Sequence, residues 1–78
     1  MEFIAERITI VDKLCNGKPT IRGKRIAVQT ILEFLSAGES TEEILLQYPS
    51  LEAEDIKACL DFAAALMGRG FTIVKTAA

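Results

Sequence analysis

The sequence predicts a mainly α-helical domain, a short β-strand or hairpin arm followed by a three-helix bundle. Three features point to it: apolar residues recurring at helical period, a capping box between two such stretches, and a turn-rich segment ahead of them. The 78 residues suffice for one domain. It divides into an arm over 1–26, a bundle over 27–68 and a tail over 69–78.

In the arm, Arg7 to Val11 reads R-I-T-I-V, a β-branched run that predicts a strand. Asn16-Gly17 marks a turn, since glycine takes positive φ without steric cost. Pro19 cannot donate to a sheet ladder, so any strand starts after it. Thr20–Arg22 and Lys24–Ile26 read as two short extended legs around Gly23. Legs of three residues need a sheet neighbour, either the first strand or a second subunit.

The first helix is expected over Ala27–Ala37, with Val28, Ile31, Leu32 and Leu35 on one face and Gly38 after its end. Ser40-Thr41-Glu42-Glu43 fits a capping box, which opens a second helix over Thr41–Gln47. That helix buries Ile44, Leu45 and Tyr48 and stops at Pro49. The third runs from Glu52 or Ala53 to Met67, with Ile56, Leu60, Ala63, Ala64 and Met67 as its apolar stripe. Helices two and three, joined by Pro49-Ser50-Leu51, have a helix-turn-helix outline. The first helix would brace them into a homeodomain-like bundle. Phe71–Val74 forms a short β-prone tail.

Composition narrows the chemistry. Half the residues are hydrophobic, which argues against disorder. There is no histidine, so the usual proton shuttle near neutral pH is missing. Cys15 and Cys59 lack the spacing and partners of a zinc site, and as free thiols they fit a reducing, cytoplasmic compartment. Neither a signal peptide nor a membrane span is expected, the longest apolar run being Phe62–Met67. Clustered carboxylates such as Glu42, Glu43, Glu54, Asp55 and Asp61 read as solvated helix faces rather than an acid–base pair. No catalytic residue, metal ligand or cofactor is expected.

Charge is unevenly spread. Before Ala27 there are six basic residues and three acidic ones; from Ala27 onward there are three basic and eight acidic. A cationic bend at Lys18, Arg22, Lys24 and Arg25 is therefore the candidate DNA contact, acting mainly on phosphates. The third helix, opening with Glu52, Ala53, Glu54 and Asp55, is a poor reader of bases. The reading placed slightly ahead of DNA contact is that these residues shape the bend, the arginines bonding carbonyls or carboxylates of the third helix in an internal or intersubunit salt-bridge set. Ile8, Ile10, Phe71, Ile73 and Val74 are the candidate partner-binding residues, as apolar strand surface beyond what three helices can cover.

The stretches N-G-K-P-T-I-R-G-K-R-I-A-V, S-T-E-E-I-L-L-Q-Y-P-S-L and E-D-I-K-A-C-L-D-F-A carry a specific resemblance. From about Ile8 to Ala65 the chain resembles the bacterial domain-of-unknown-function family 433. That resemblance implies a strand-led, homeodomain-like fold and an antitoxin-type role, with a PIN-like ribonuclease toxin as partner and DNA bound as a dimer. Lys24 and Ala27 stand where the family often has threonine and proline, and Glu52 where a small hydroxyl cap is common, so the third helix is expected to fray. The expected function is thus an antitoxin-like homodimer. The alternative is a dimeric interaction module with no nucleic-acid contact.

Overall fold

Residues 1–69 are described by the structure, a computed structural model. Strand β1 is Glu2–Ala5, β2 is Ile8–Ile10 and β3 is Thr20–Ile21. They form one antiparallel sheet in the order β1-β2-β3. Three helices follow: α1 over Val28–Ser36, α2 over Thr41–Gln47 and α3 over Ala53–Met67. The chain is a small mixed domain, a three-stranded sheet with three helices, and its β part is larger than the expected strand or hairpin.

The extra strand is β1. It folds back on β2 through Glu6 and Arg7, with a register irregularity between Phe3 and Ala5. Arg7, the second loop residue, takes φ 64°, a left-handed conformation that helps reverse the chain. The bend after β3 has the same character: Arg22 (φ 47°) and Gly23 (φ 71°) are both left-handed, and the Lys24 amide donates to the Ile21 carbonyl at 2.8 Å. Lys24–Ile26 is not a strand; the returning leg makes a single bridge, Thr20 to Ala27. The sheet neighbour of β3 is β2 of the same chain.

Between the strands, Thr9 and Thr20 are buried and their hydroxyls lie 2.9 Å apart. Thr9 Oγ1 also accepts from the Gly23 amide at 2.8 Å, which pins the bend to the sheet. These buried polar atoms are thereby satisfied.

The helices start and stop for local reasons. Gly38, at φ 96°, follows α1 and sends its amide to the Leu35 carbonyl. Ser40 accepts from the Glu43 amide while the Glu43 carboxylate accepts from the Ser40 amide, completing the capping box of α2. At α3 the Glu52 amide donates to Asp55 Oδ2 at 2.8 Å, so Asp55 offsets the weak cap residue that predicts fraying.

The core joins sheet and helices through Ile8, Ile21, Val28, Ile31, Ile44, Leu51, Ile56 and Cys59. On α3 the inward stripe is Asp55, Ile56, Cys59 and half-buried Phe62. The expected stripe through Leu60, Ala64 and Met67 is corrected: Leu60 is 48% exposed, Met67 is 68% exposed, and Ala64 is exposed. The helix is rotated so that the buried Asp55 faces the sheet.

Candidate functional site

Two turn tips and one helix start meet at Asp55. Its side chain is fully buried, and one carboxylate cannot be left bare in that setting. Arg22 Nε donates to Oδ1 at 2.8 Å and Arg22 Nη2 to Oδ2 at 2.7 Å, a bidentate fork. Arg7 Nη1 donates to Oδ1 at 2.9 Å and to Glu52 Oε1 at 2.8 Å. The Arg22 amide donates to the Arg7 carbonyl at 2.9 Å, so the two turns are also tied through backbone. Arg22 Nη2 further reaches the Ser50 carbonyl at 3.3 Å.

The electrostatics follow from this geometry. Burial pushes the Asp55 carboxyl up; the Arg22 fork, the Glu52 amide and Arg7 outweigh it and hold the group at about 2, below the usual carboxylate range. Arg7 is raised, first by its bond to Glu52 and then by Asp55, and Arg22 is raised by Asp55. The cluster is a clasp joining sheet and helix.

Arg22, one of the four candidate DNA contacts, is therefore committed to Asp55, its guanidinium used inside the domain. The reading in which arginines bond carboxylates of the third helix holds for this residue. The other three lie apart from the clasp. Lys18 is exposed and donates to Gln29 Oε1 at 3.3 Å, Lys24 is half-buried and Arg25 is exposed. None of these three makes an ion pair among the described residues.

The partner-binding candidates also divide. Ile8 is wholly buried in the core and Ile10 is half-buried, both on the central strand, so neither supplies the spare edge surface expected of it. Phe71, Ile73 and Val74 lie outside the described residues. Exposed apolar side chains sit instead on and beside β1 (Met1, Phe3, Ile4), on α2 (Leu46, 83% exposed) and on α3 (Leu60, Leu66, Met67). A groove of about 320 Å³ runs between β1 and α3, from Ile4 and Ala5 past Ala58, Phe62 and Ala65 to Arg69.

Sequence reasoning missed Arg7 and Asp55 as partners. The available signal was charge order, since a buried acid must find cations, and Arg7 and Arg22 each stand in a turn at a strand end. It missed β1 because Glu6-Arg7 carries none of the Asn-Gly chemistry that announces a hairpin.

Arg22, which lies in the I-R-G segment, and Asp55, which lies in E-D-I, are both within the part of the chain that matches a known family. The family model described as "Protein of unknown function (DUF433)" matches residues 8–63. The chain belongs to the DUF433 family. A curated relative, "Uncharacterized protein y4eO" of Sinorhizobium fredii (strain NGR234), is 35% identical over 65 residues. Those residues are 83% of this chain but 29% of that protein, so the chain spans less than a third of its length. The crystal structure of a DUF433 member from Anabaena variabilis ATCC 29413 is similar at TM-score 0.72 and 34% identity. The match covers 76% of this chain and 58% of that one. The family match takes in β2, β3, α1, α2 and most of α3, with Arg22 and Asp55 inside it, while β1 and Arg7 precede the matched residues.

Among the described residues, no cluster of three or more Cys, Asp or Glu side chains could hold a metal ion. No described helix is long and apolar enough to cross a membrane.

Proposed function

We propose that this DUF433 chain is an antitoxin-type regulatory protein that works in the cytoplasm as a dimer and neutralises a PIN-like ribonuclease by binding it. One observation carries the proposal: exposed Ile4 of β1 and exposed Leu66 of α3 line one groove between strand and helix, and Phe3, Leu60 and Met67 are exposed on the same two elements. Open apolar surface of this kind suits a partner-binding face. In this reading the three helices are homeodomain-like, with α2 and α3 the helix-turn-helix pair. Strand β1 is an edge that a partner strand can extend.

DNA contact is the lesser part of the proposal. Of the cationic bend, Lys18, Lys24 and Arg25 remain to meet phosphates, while the start of α3 presents Glu52 and Glu54. The engagement of Arg22 by Asp55 favours, as a second reading, a dimeric interaction module that touches no nucleic acid.

Co-expression with a PIN-like ribonuclease encoded beside this gene tests the proposal. The expected result is a complex that co-purifies and has lost RNA cleavage. A ribonuclease that elutes alone and stays active overturns it. A complex that binds its own promoter at no salt concentration selects the second reading.

A further inference from the structure

A second depression, of about 340 Å³, lies on the flank of α3 that meets α1 rather than β1. Val28 and Leu32 of α1, Phe62 and Leu66 of α3, and Pro19 ahead of β3 form its walls. Pro19, Leu32 and Phe62 are only half-buried and Leu66 is 42% exposed, so the described residues do not close over it. Phe62 and Leu66 also border the β1–α3 groove, but no other residue is shared between the two.

The polar part of this lining is one pair, Lys18 and Gln29. Lys18 Nζ donates to Gln29 Oε1 at 3.3 Å, which holds the two side chains together at the rim. That bond engages the amide's acceptor oxygen and leaves donors over: the remaining N–H groups of the ammonium and the amide nitrogen of Gln29. No acidic residue is among the described residues of the lining, and the first turn of α1 holds none. The pocket is thus apolar within and offers hydrogen-bond donors and one positive charge at its mouth. That is the complement of an anion with an apolar tail.

Size and charge narrow the ligand further. A pocket of this volume stands at the lower end of ligand sites, with room for a chain of roughly eight carbons rather than a peptide. A single cation matches a carboxylate, whereas a phosphate brings up to two charges. We infer that the pocket binds a free medium-chain carboxylate, its aliphatic chain between α1 and α3 and its head at Lys18 and Gln29. The inference goes beyond the proposed function and needs neither the ribonuclease nor DNA.

Titration of the full chain with sodium octanoate, followed by backbone amide shifts and by calorimetry, tests it. The expected result is saturable one-to-one binding, with shifts centred on Gln29, Leu32, Ala63 and Leu66. Octanol and octylammonium have the same chain with a neutral or a positive head, and each is expected to bind about tenfold or more weakly. Lys18→Glu is expected to lose a similar factor for octanoate and to leave octanol binding unchanged, while Lys18→Arg retains octanoate. Lys18 is exposed, so both variants should keep the wild-type unfolding midpoint. Affinity that does not distinguish the three head groups overturns the inference, as do shifts scattered away from the pocket. A chain that takes up no octanoate, whether because another segment already fills the pocket or because it binds only vesicles of anionic lipid, overturns it too.

Discussion

The guanidinium of Arg22 grips the buried carboxylate of Asp55 with two bonds, 2.8 and 2.7 Å long, at a residue whose own φ is 47°. A left-handed arginine costs about 1 kcal/mol or more, and it persists only where its surroundings hold it. Here they do, through the Asp55 fork and the amide bond to the Arg7 carbonyl. Asp55→Asn removes the charge that two arginines share and is expected to destabilise the domain by about 3 kcal/mol, in the range for a broken buried pair. Against the roughly 4–12 kcal/mol usual for a chain this size, that is a large loss. Urea unfolding measures it. Arg22→Lys is expected to recover little, because an ammonium cannot reproduce the fork.

Acid should release the same clasp. The Asp55 carboxyl is held at about 2 in the folded chain and returns to the ordinary aspartate value of 3.8 when unfolded. The unfolded state therefore binds its proton first as pH falls, so this stabilisation is complete above about pH 4 and fades toward pH 2. The part due to Asp55 amounts to about 2 kcal/mol. Glu43, lowered by the Ser40 amide, adds a loss of the same sign. Unfolding midpoints across pH 6 to 2 should fall for the wild type and fall less for Asp55→Asn. Parallel curves would remove the clasp from the acid response.

Much of the helical part was legible because its signals are local. The bounds of α2 coincide with those expected from Ser40, Glu43 and Pro49, and α1 is one residue shorter at each end. The sheet was legible at Ile8–Ile10, where β-branched residues stand together, and at Thr20–Ile21, which read as an extended leg in need of a neighbouring strand. Strand β1 has one β-branched residue, Ile4, and a loop without glycine, so nothing in Glu2–Ala5 announces it. The stripe of α3 was misread because periodicity counts apolar residues alone. The residue that orients the helix is an aspartate, and its burial depends on arginines 33 and 48 positions away. The sequence already offered the arginines an internal use on third-helix carboxylates, but which carboxylate takes Arg22 shows only in the fold.

The cap of α2 gives a smaller, separable effect. Ser40→Ala removes the acceptor of the Glu43 amide and frees the reciprocal carboxylate, with an expected cost of about 1 kcal/mol. The clasp lies elsewhere in the fold, so this loss should add to that of Asp55→Asn within a few tenths of a kcal/mol. Double-variant unfolding checks additivity. A coupling near 1 kcal/mol or above would mean that α2 and the clasp respond together.

The two thiols should differ sharply. Cys15 is half-buried in the turn at Cys15–Gly17, whereas Cys59 is wholly inside the core. Burial pushes the Cys59 thiol up to about 11, and the nearby Asp55 charge adds to the rise. Because the thiolate is the reacting form, Cys59 is both shielded and protonated at neutral pH. A thiol reagent is expected to label Cys15 first and Cys59 only as fast as the domain opens, so Asp55→Asn should speed the second label and leave the first alone. Equal rates in the native protein would contradict the packing of α3.

The cationic bend can now be tested without confusing binding with folding. Charge reversal at Lys18, Lys24 and Arg25 touches no ion pair among the described residues, so stability should change by no more than about 0.5 kcal/mol per site. Reversal at Arg22 instead places a carboxylate against Asp55 and should unfold much of the protein. If the bend meets a polyanion, the triple variant loses affinity while keeping its unfolding midpoint. The wild-type log–log salt slope for DNA would then be about −2.7 per protomer, from three phosphate contacts. Affinity lost only in the Arg22 variant, together with its fold, would instead mean that the bend serves the clasp alone. Binding of the ribonuclease, carried by the apolar flank of β1 and α3, should survive the triple variant in either case.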